Sequence, residues 1–375
     1  MLFSDIIGQN TIKQELLDTV KNNRISHALL FYGPEGSGKL SLAIAYAQYI
    51  NCENKQEFDS CGVCPSCLKY NKLQHPDLHF VFPVATNSKI KKDPVSDNFI
   101  TEWREIFLQQ PYMSLDMWLA HIGVENKQGS IQKEESKEIM RKLNLKTYEA
   151  EYKVMIIWMA EKMNETCANK LLKILEEPPA KTLFILISEH TEDLMATILS
   201  RTQIIRIPKI DDTSMRQKLA TDFNLQGEDL DTLVHNANGN YYKAFELISF
   251  ENSNSDFFNY FTQIMRMAYA KNVPELYNIV ESIAETGREK QKGFLEYSLK
   301  MLRENFILNH KKSEIVYLYK KEKEFSEKFH VFINERNIAQ LTKEFNDAHF
   351  HIERNGNAKI IFFDLFIKIM LLLRS

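Results

Sequence analysis

No stretch of this chain is apolar for long enough to cross a bilayer. The one candidate, Ile360 to Leu373, falls short of the roughly 20 residues a spanning helix needs. Asp364 and Lys368 interrupt it at an i,i+4 spacing that suits an ion pair, so it is expected to close the chain as a buried helix. Excess positive charge is missing too: the formal net charge is −3, which argues against an overall basic nucleic-acid binder but leaves room for a local basic face. Met1-Leu2-Phe3-Ser4-Asp5 has neither the basic region nor the apolar core of a signal peptide, so a cytoplasmic location is expected. Internal repeats are absent. Cysteine is scarce, at five residues, and four of them crowd into one short segment.

Those four, Cys52, Cys61, Cys64 and Cys67, form a C-x8-C-x2-C-x2-C array. In a reducing cytosol this spacing favours metal over disulfides. Four thiolates without histidine or carboxylate make a closed tetrahedral set, suited to structural Zn²⁺. Cys167 stands apart and is expected to pack inside a helix.

What is present is globular in character, with 44% apolar and 26% charged residues, and a length of 375 that suggests two or three domains. Five β-rich apolar runs precede residue 210: Ala28–Tyr32, Leu78–Phe82, Val154–Trp158, Leu183–Ile187 and Gln203–Ile207. Helical patterns separate them, which predicts a parallel α/β sheet over residues 1–207. Residues 208–250 read as short helices, 251–255 as a polar linker, and 256–375 as helical throughout. An insertion at 84–130 carries Phe99, Trp103, Phe107, Tyr112 and Trp118; these aromatics either pack it onto the domain or form a partner surface.

After the first run comes Gly33-Pro34-Glu35-Gly36-Ser37-Gly38-Lys39-Leu40, a phosphate-binding loop. In such a loop backbone N–H groups wrap phosphate, the lysine neutralises it, and a hydroxyl on the next residue holds Mg²⁺. Leu40 offers no oxygen, and Ser41 is turned away by about 100° of helix. Lys39 is left either to bind an anion without turnover or to pair with an acidic residue.

Further motifs follow in order: His27 before the first strand, His75-Pro76-Asp77, Lys153-Val154-Met155-Ile156-Ile157, Asn169 through Leu171-Leu172-Lys173-Ile174-Leu175-Glu176-Glu177-Pro178-Pro179, and Ser200-Arg201-Thr202. With the loop and the cysteine array, this series resembles the bacterial clamp-loader subunits of the AAA+ class over about residues 1–250. The resemblance implies an AAA+ α/β module with zinc (52–67) and aromatic (84–130) insertions, a helical lid (208–250) and a helical collar (256–375). It also implies a heteropentamer with gamma/tau-type ATPase subunits and a delta subunit, which loads a sliding clamp on primer–template DNA. Family ATPases end the third strand in Asp-Glu; the matching positions here are Trp158 and Met159, which hold no hard cation and accept no proton. The lid arginine expected in Gly-x-x-Arg-x-Ala is Tyr242. Leu40, Trp158, Met159 and Tyr242 read as four independent losses, so ATP and Mg²⁺ are not expected to be turned over by Gly33, Gly38 and Lys39. Arg201 is kept, and the resemblance makes it an arginine finger that acts in trans on a neighbour's ATP; its alternative is a structural arginine tied to a local carboxylate. The resemblance turns the helix of Lys170 and Lys173 toward DNA, with a plain solvated face as the other reading. The chain as a whole resembles the family's stator-type members, and an active gamma/tau-type ATPase is the alternative.

Overall fold

The computed structural model describes residues 1–124, 128–249, 251–310 and 316–374, so residues 125–127 of the aromatic insertion, Phe250 of the expected lid and 311–315 of the expected collar lie outside the described residues. Five parallel strands form the sheet: β1 (Ala28–Tyr32), β2 (Leu78–Val81), β3 (Lys153–Trp158), β4 (Thr182–Ser188) and β5 (Gln203–Arg206), in the order β2-β3-β4-β1-β5. The expected parallel α/β sheet is present, with strand limits within two residues of the apolar runs.

The near-continuous apolar runs follow from burial on both faces. Along β1, Leu29 and Phe31 enter one core while Ala28 and Leu30 enter the other. In β4, Leu183, Ile185 and Ile187 alternate in the same way with Phe184 and Leu186. The edge strand β5 is mostly exposed. Around the sheet lie α1 (Asn10–Lys21), α2 (Lys39–Ile50), α3 (Pro65–Asn71), α4 (Ile100–Gln109), α5 (Leu115–His121), α6 (Lys133–Asn144), α7 (Glu165–Glu176) and the single turn α8 (Ala196–Leu199).

The aromatics of the 84–130 insertion are buried, which decides for packing over a partner surface. Trp103 stacks on Phe82 with ring centroids 4.1 Å apart, and Trp118 meets both edge-on at 5.1 Å. The Trp118 indole N–H donates to the Pro83 carbonyl at 2.8 Å, so its polar tip is satisfied. Ser114 caps α5, its hydroxyl accepting from Met117 N–H.

Two motifs acquire structural roles. The Asp77 carboxylate accepts the N–H groups of Tyr148, Glu149 and Ala150 at 2.7–3.0 Å and so fixes the turn leading into β3. Burial pushes its carboxyl up, but those three donors outweigh burial and hold it below the usual carboxylate range. Lys153, at the start of β3, donates to the carbonyls of Lys142, Leu143 and Leu145 and thus closes the C-terminal end of α6.

The chain divides into two compact units, Met1–Leu225 with Ala237–Ala244, and Gln226–Asn236 with Phe245–Ser375. Within the stretch read as the lid, α9 (Asp212–Phe223), α10 (Gly227–Ala237) and α11 (Tyr241–Ser249) are the expected short helices. The expected polar linker at 251–255 is instead the start of a 20-residue helix, α12 (Glu251–Ala270). Its Glu, Asn and Ser residues carry no proline or glycine to break the helix that the apolar residues downstream nucleate. The second unit continues with α13 (Val273–Ala284), α14 (Arg288–Asn309), α15 (Lys320–Phe329), α16 (Ile338–Glu353) and α17 (Ala358–Leu372) around a core including Phe261, Leu295, Phe345 and Phe366. Asp364 and Lys368 form the expected i,i+4 pair at 2.7 Å, but the final helix is buried along one face only, through Phe362, Leu365, Phe366 and Ile369, while Ile360 and Leu371 are exposed. Among the described residues no helix is long and apolar enough to cross a membrane.

Candidate functional site

Strand β1 delivers the phosphate loop and α2 begins at Lys39, with Gly38 in the left-handed region at φ +85° as its cap. The lysine is 5% exposed and turned back into its own loop. Its Nζ donates to the carbonyls of Gly33 at 2.7 Å and Pro34 at 2.5 Å and faces Glu189 at 3.4 Å. Lys39 thus pairs with an acid in this structure. Burial pulls its ammonium below the ordinary lysine value, and the Glu189 carboxylate opposes that pull. Burial likewise raises Glu189, opposed by Lys39. Glu161 completes the group: its Oε1 accepts Glu189 N–H at 2.9 Å.

The loop is covered by its own chain. The Ser41 hydroxyl donates to the Pro111 carbonyl at 2.8 Å. Next to it, Tyr112 lies so close over Gly38 that a Cβ there would come within 2.8 Å of the ring. The Tyr112 hydroxyl accepts Ile7 N–H at 2.8 Å, and its ring packs on Tyr241 at 5.0 Å. From the other side, Tyr241 N–H donates to Gly36 O at 3.2 Å and Asn240 Nδ2 to Glu35 at 3.1 Å. A Cβ at Gly36 would fall 1.8 Å from Asn240 Oδ1. Gln9 donates to Ser37 O at 3.3 Å. The aromatic insertion thus reaches the loop, a connection the sequence did not reveal.

Where metal chemistry would occur the side chains are apolar. Leu40, Trp158 and Met159 all enter one buried cluster with Trp103, Phe82 and Phe107. Trp158 lies 5.0 Å from Trp103, centroid to centroid. Three of the four departures from the ATPase pattern thus lie in the apolar core on one face of the sheet. Tyr242 lies in the first turn of α11. Glu189 was missed; the available signal was its place just past the end of β4, beside the loop-bearing strand, where open α/β sheets gather functional groups.

Arg201 follows α8 and is one-third exposed, with Nη2 2.5 Å from Glu176 Oε1. Lys170 and Lys173 of α7 line a cleft with Lys137 and Arg141 of α6 and with Glu177, and Arg141 is itself paired with Asp97 and Glu138.

The four cysteines of the array converge, all Sγ atoms lying within 4.8 Å of one another. Sulfurs around a tetrahedral Zn²⁺ sit about 3.8 Å apart, given a Zn–S bond of about 2.3 Å. The Cys52–Cys61 and Cys61–Cys67 separations are 3.6 and 3.9 Å. Backbone N–H groups of Cys61, Cys64 and Cys67 donate to the sulfurs of Cys52, Cys61 and Cys64 at 3.3–3.4 Å, which favours thiolates. N–H donors from Val63 and Cys64 draw the Cys61 thiol down to about 6. This cluster can hold a metal ion. Cys167 is buried in α7, as expected.

The family described as "DNA polymerase III, delta subunit" matches residues 8–211, more than half of the chain. Among curated proteins, the chain is 29% identical over 212 residues to the delta' subunit of DNA polymerase III of Bacillus subtilis, covering 56% of this chain and 51% of that protein. It is 27% identical over 230 residues to the tau/gamma subunit of Haemophilus influenzae, covering 60% of this chain and 27% of that one. Protein STICHEL-like 4 of Arabidopsis thaliana is 26% identical over 217 residues, covering 58% of this chain and 18% of that protein. The chain spans from about a fifth to about half of the length of these relatives.

Proposed function

We propose, for a chain that belongs to the DNA polymerase III delta-subunit family, that it is a non-catalytic, delta-prime-type stator of a clamp loader. In this reading it completes a heteropentamer with gamma/tau-type ATPase subunits and a delta subunit, presents Arg201 to a neighbour's ATP, and so assists loading of a sliding clamp on primed DNA in the cytoplasm. The 1–207 module, the 208–250 lid and the 256–375 collar divide these tasks, and the four cysteines hold a structural Zn²⁺. Lys170 and Lys173 are placed to meet nucleic-acid phosphate carried by the assembly.

One observation carries the reading: the phosphate site is filled from within. Lys39 is engaged by Gly33, Pro34 and Glu189, Tyr112 lies over Gly38, and Trp158 and Met159 stand where the acidic pair would bind Mg²⁺. The carboxylates of Glu189, Glu161 and Glu35 around the lysine oppose a triphosphate that has no metal to neutralise it. Similarity to tau/gamma subunits favours the alternative, an active ATPase, only at the level of the shared module. The test is ATP hydrolysis by the chain alone, then with ATPase and delta subunits. Expected are no turnover alone and assembly turnover that Arg201→Ala lowers, the loss at the one site it serves being roughly 10³-fold or more. Turnover by the isolated chain that Lys39→Ala abolishes would establish the motor reading instead.

A further inference from the structure

The Leu-Leu-Lys-Ile-Leu-Glu-Glu-Pro-Pro run and the Ser200-Arg201-Thr202 triplet stand 25 residues apart in sequence yet meet in space at one contact. Glu176 is the last residue of α7, and its Oε1 lies 2.5 Å from Arg201 Nη2. On the other nitrogen, Nη1 donates to Thr197 O at 3.0 Å and to Ser200 Oγ at 3.3 Å. A guanidinium carries five N–H donors in a rigid plane. Three are engaged by Glu176, Thr197 and Ser200, which leaves Nε–H and one Nη2–H without a partner among the described residues. The acceptors come from two short elements, α7 and α8, which are themselves packed through Leu171, Ile174, Leu175 and Ile198 in one core.

We infer that Glu176 is a positioning residue for Arg201: it fixes the plane of the guanidinium so that the two remaining donors face a phosphoryl anion supplied by a neighbouring subunit. This rests on the finger reading above. Arginine has high side-chain entropy, and an exposed one aimed across an interface would otherwise sample many rotamers. Tying one edge of the plane removes that freedom before the anion arrives, and pre-set geometry raises rate rather than ground-state affinity. The carboxylate also lowers the local positive potential. Being half exposed, it is well screened by water, so orientation outweighs the lost charge.

The test is steady-state ATP hydrolysis by the complete assembly carrying Glu176→Ala, Glu176→Gln, Arg201→Ala or the Glu176→Ala/Arg201→Ala pair, with each chain's fold checked by thermal unfolding. Glu176→Ala is expected to lower kcat by roughly three- to tenfold with KM for ATP unchanged, and the double variant to match Arg201→Ala alone. Glu176→Gln, which keeps an acceptor without the charge, is expected to fall between Glu176→Ala and native protein. If Arg201→Ala slows turnover while Glu176→Ala leaves kcat alone, or if the two effects multiply, the positioning role is overturned and the finger survives. A rise in turnover with Glu176→Ala and Glu176→Gln would make the carboxylate a trap instead. Should Arg201→Ala itself leave turnover unchanged, the finger reading fails and Glu176 falls with it.

Discussion

At the scale of single residues, the clearest packing around the phosphate loop is that of Trp158. Trp158 is 5% exposed and its ring lies tilted against Trp103, so it belongs to the core of the aromatic insertion as much as to β3. Trp158→Asp, the substitution that would reinstate an acid, is expected to cost about 3–5 kcal/mol, because it opens a cavity and buries a carboxylate among rings. Thermal or urea unfolding of that variant checks it, and under the stator reading the same protein is expected to show no ATPase activity. Much of this site was legible in the sequence: the loop, the missing hydroxyl at Leu40 and the apolar pair at 158 and 159 need no coordinates. What was not legible is who fills the vacated places. Glu189, Tyr112 and Asn240 reach Lys39, Gly38 and Gly36 from segments distant in sequence, and pairing across such distances leaves no periodic trace.

At the scale of elements, the insertion is anchored to α6 through one buried carboxyl. Glu135 is 1% exposed, and its Oε2 accepts Ser96 N–H at 2.7 Å and the Ser96 hydroxyl at 3.0 Å. Burial raises its carboxyl to about 7, against the pull of Ser96 N–H. The raised folded value fixes the sign. The folded chain holds this proton more tightly than the unfolded one, so the group contributes least destabilisation below about 4.5 and most above about 7. Glu135→Gln, a mimic of the neutral acid, is expected to stabilise the protein by on the order of 1 kcal/mol at pH 8 and by little at pH 5. Unfolding midpoints at the two values test this, and an equal gain at both would refute it. The strands and their parallel order follow from apolar runs alone, since strands buried on both faces have no polar positions to spare. Helix α12 was misread at 251–255 because a polar turn at a helix start and a polar linker have the same composition; what separates them is the Phe257–Ala270 stripe that follows, which extends helix backward.

At the scale of the whole molecule, the cysteine array holds more than its own loop. The Asp59 carboxylate, inside the array, accepts the N–H groups of Phe3 and Ser4 at 3.0 and 2.9 Å, and the same N-terminal segment offers Ile7 N–H to Tyr112 over the phosphate loop. Cys64→Ser is expected to reduce bound zinc below one equivalent and to raise amide exchange at Phe3 and Ser4; full zinc content in that variant would exclude the four-thiolate site. The shared core of Leu40, Trp158 and Met159 has a consequence in the dimension of descent. If this chain is the stator proposed above, a site that had merely lost ligands could regain them one at a time, but positions 40, 158 and 159 are walls of the core. Any single step back removes a wall before it restores a function, and the margin of a folded domain, about 5–15 kcal/mol, tolerates few such steps. In the stator reading, the insertion's rings packed against β3 thus oppose each step toward a metal site.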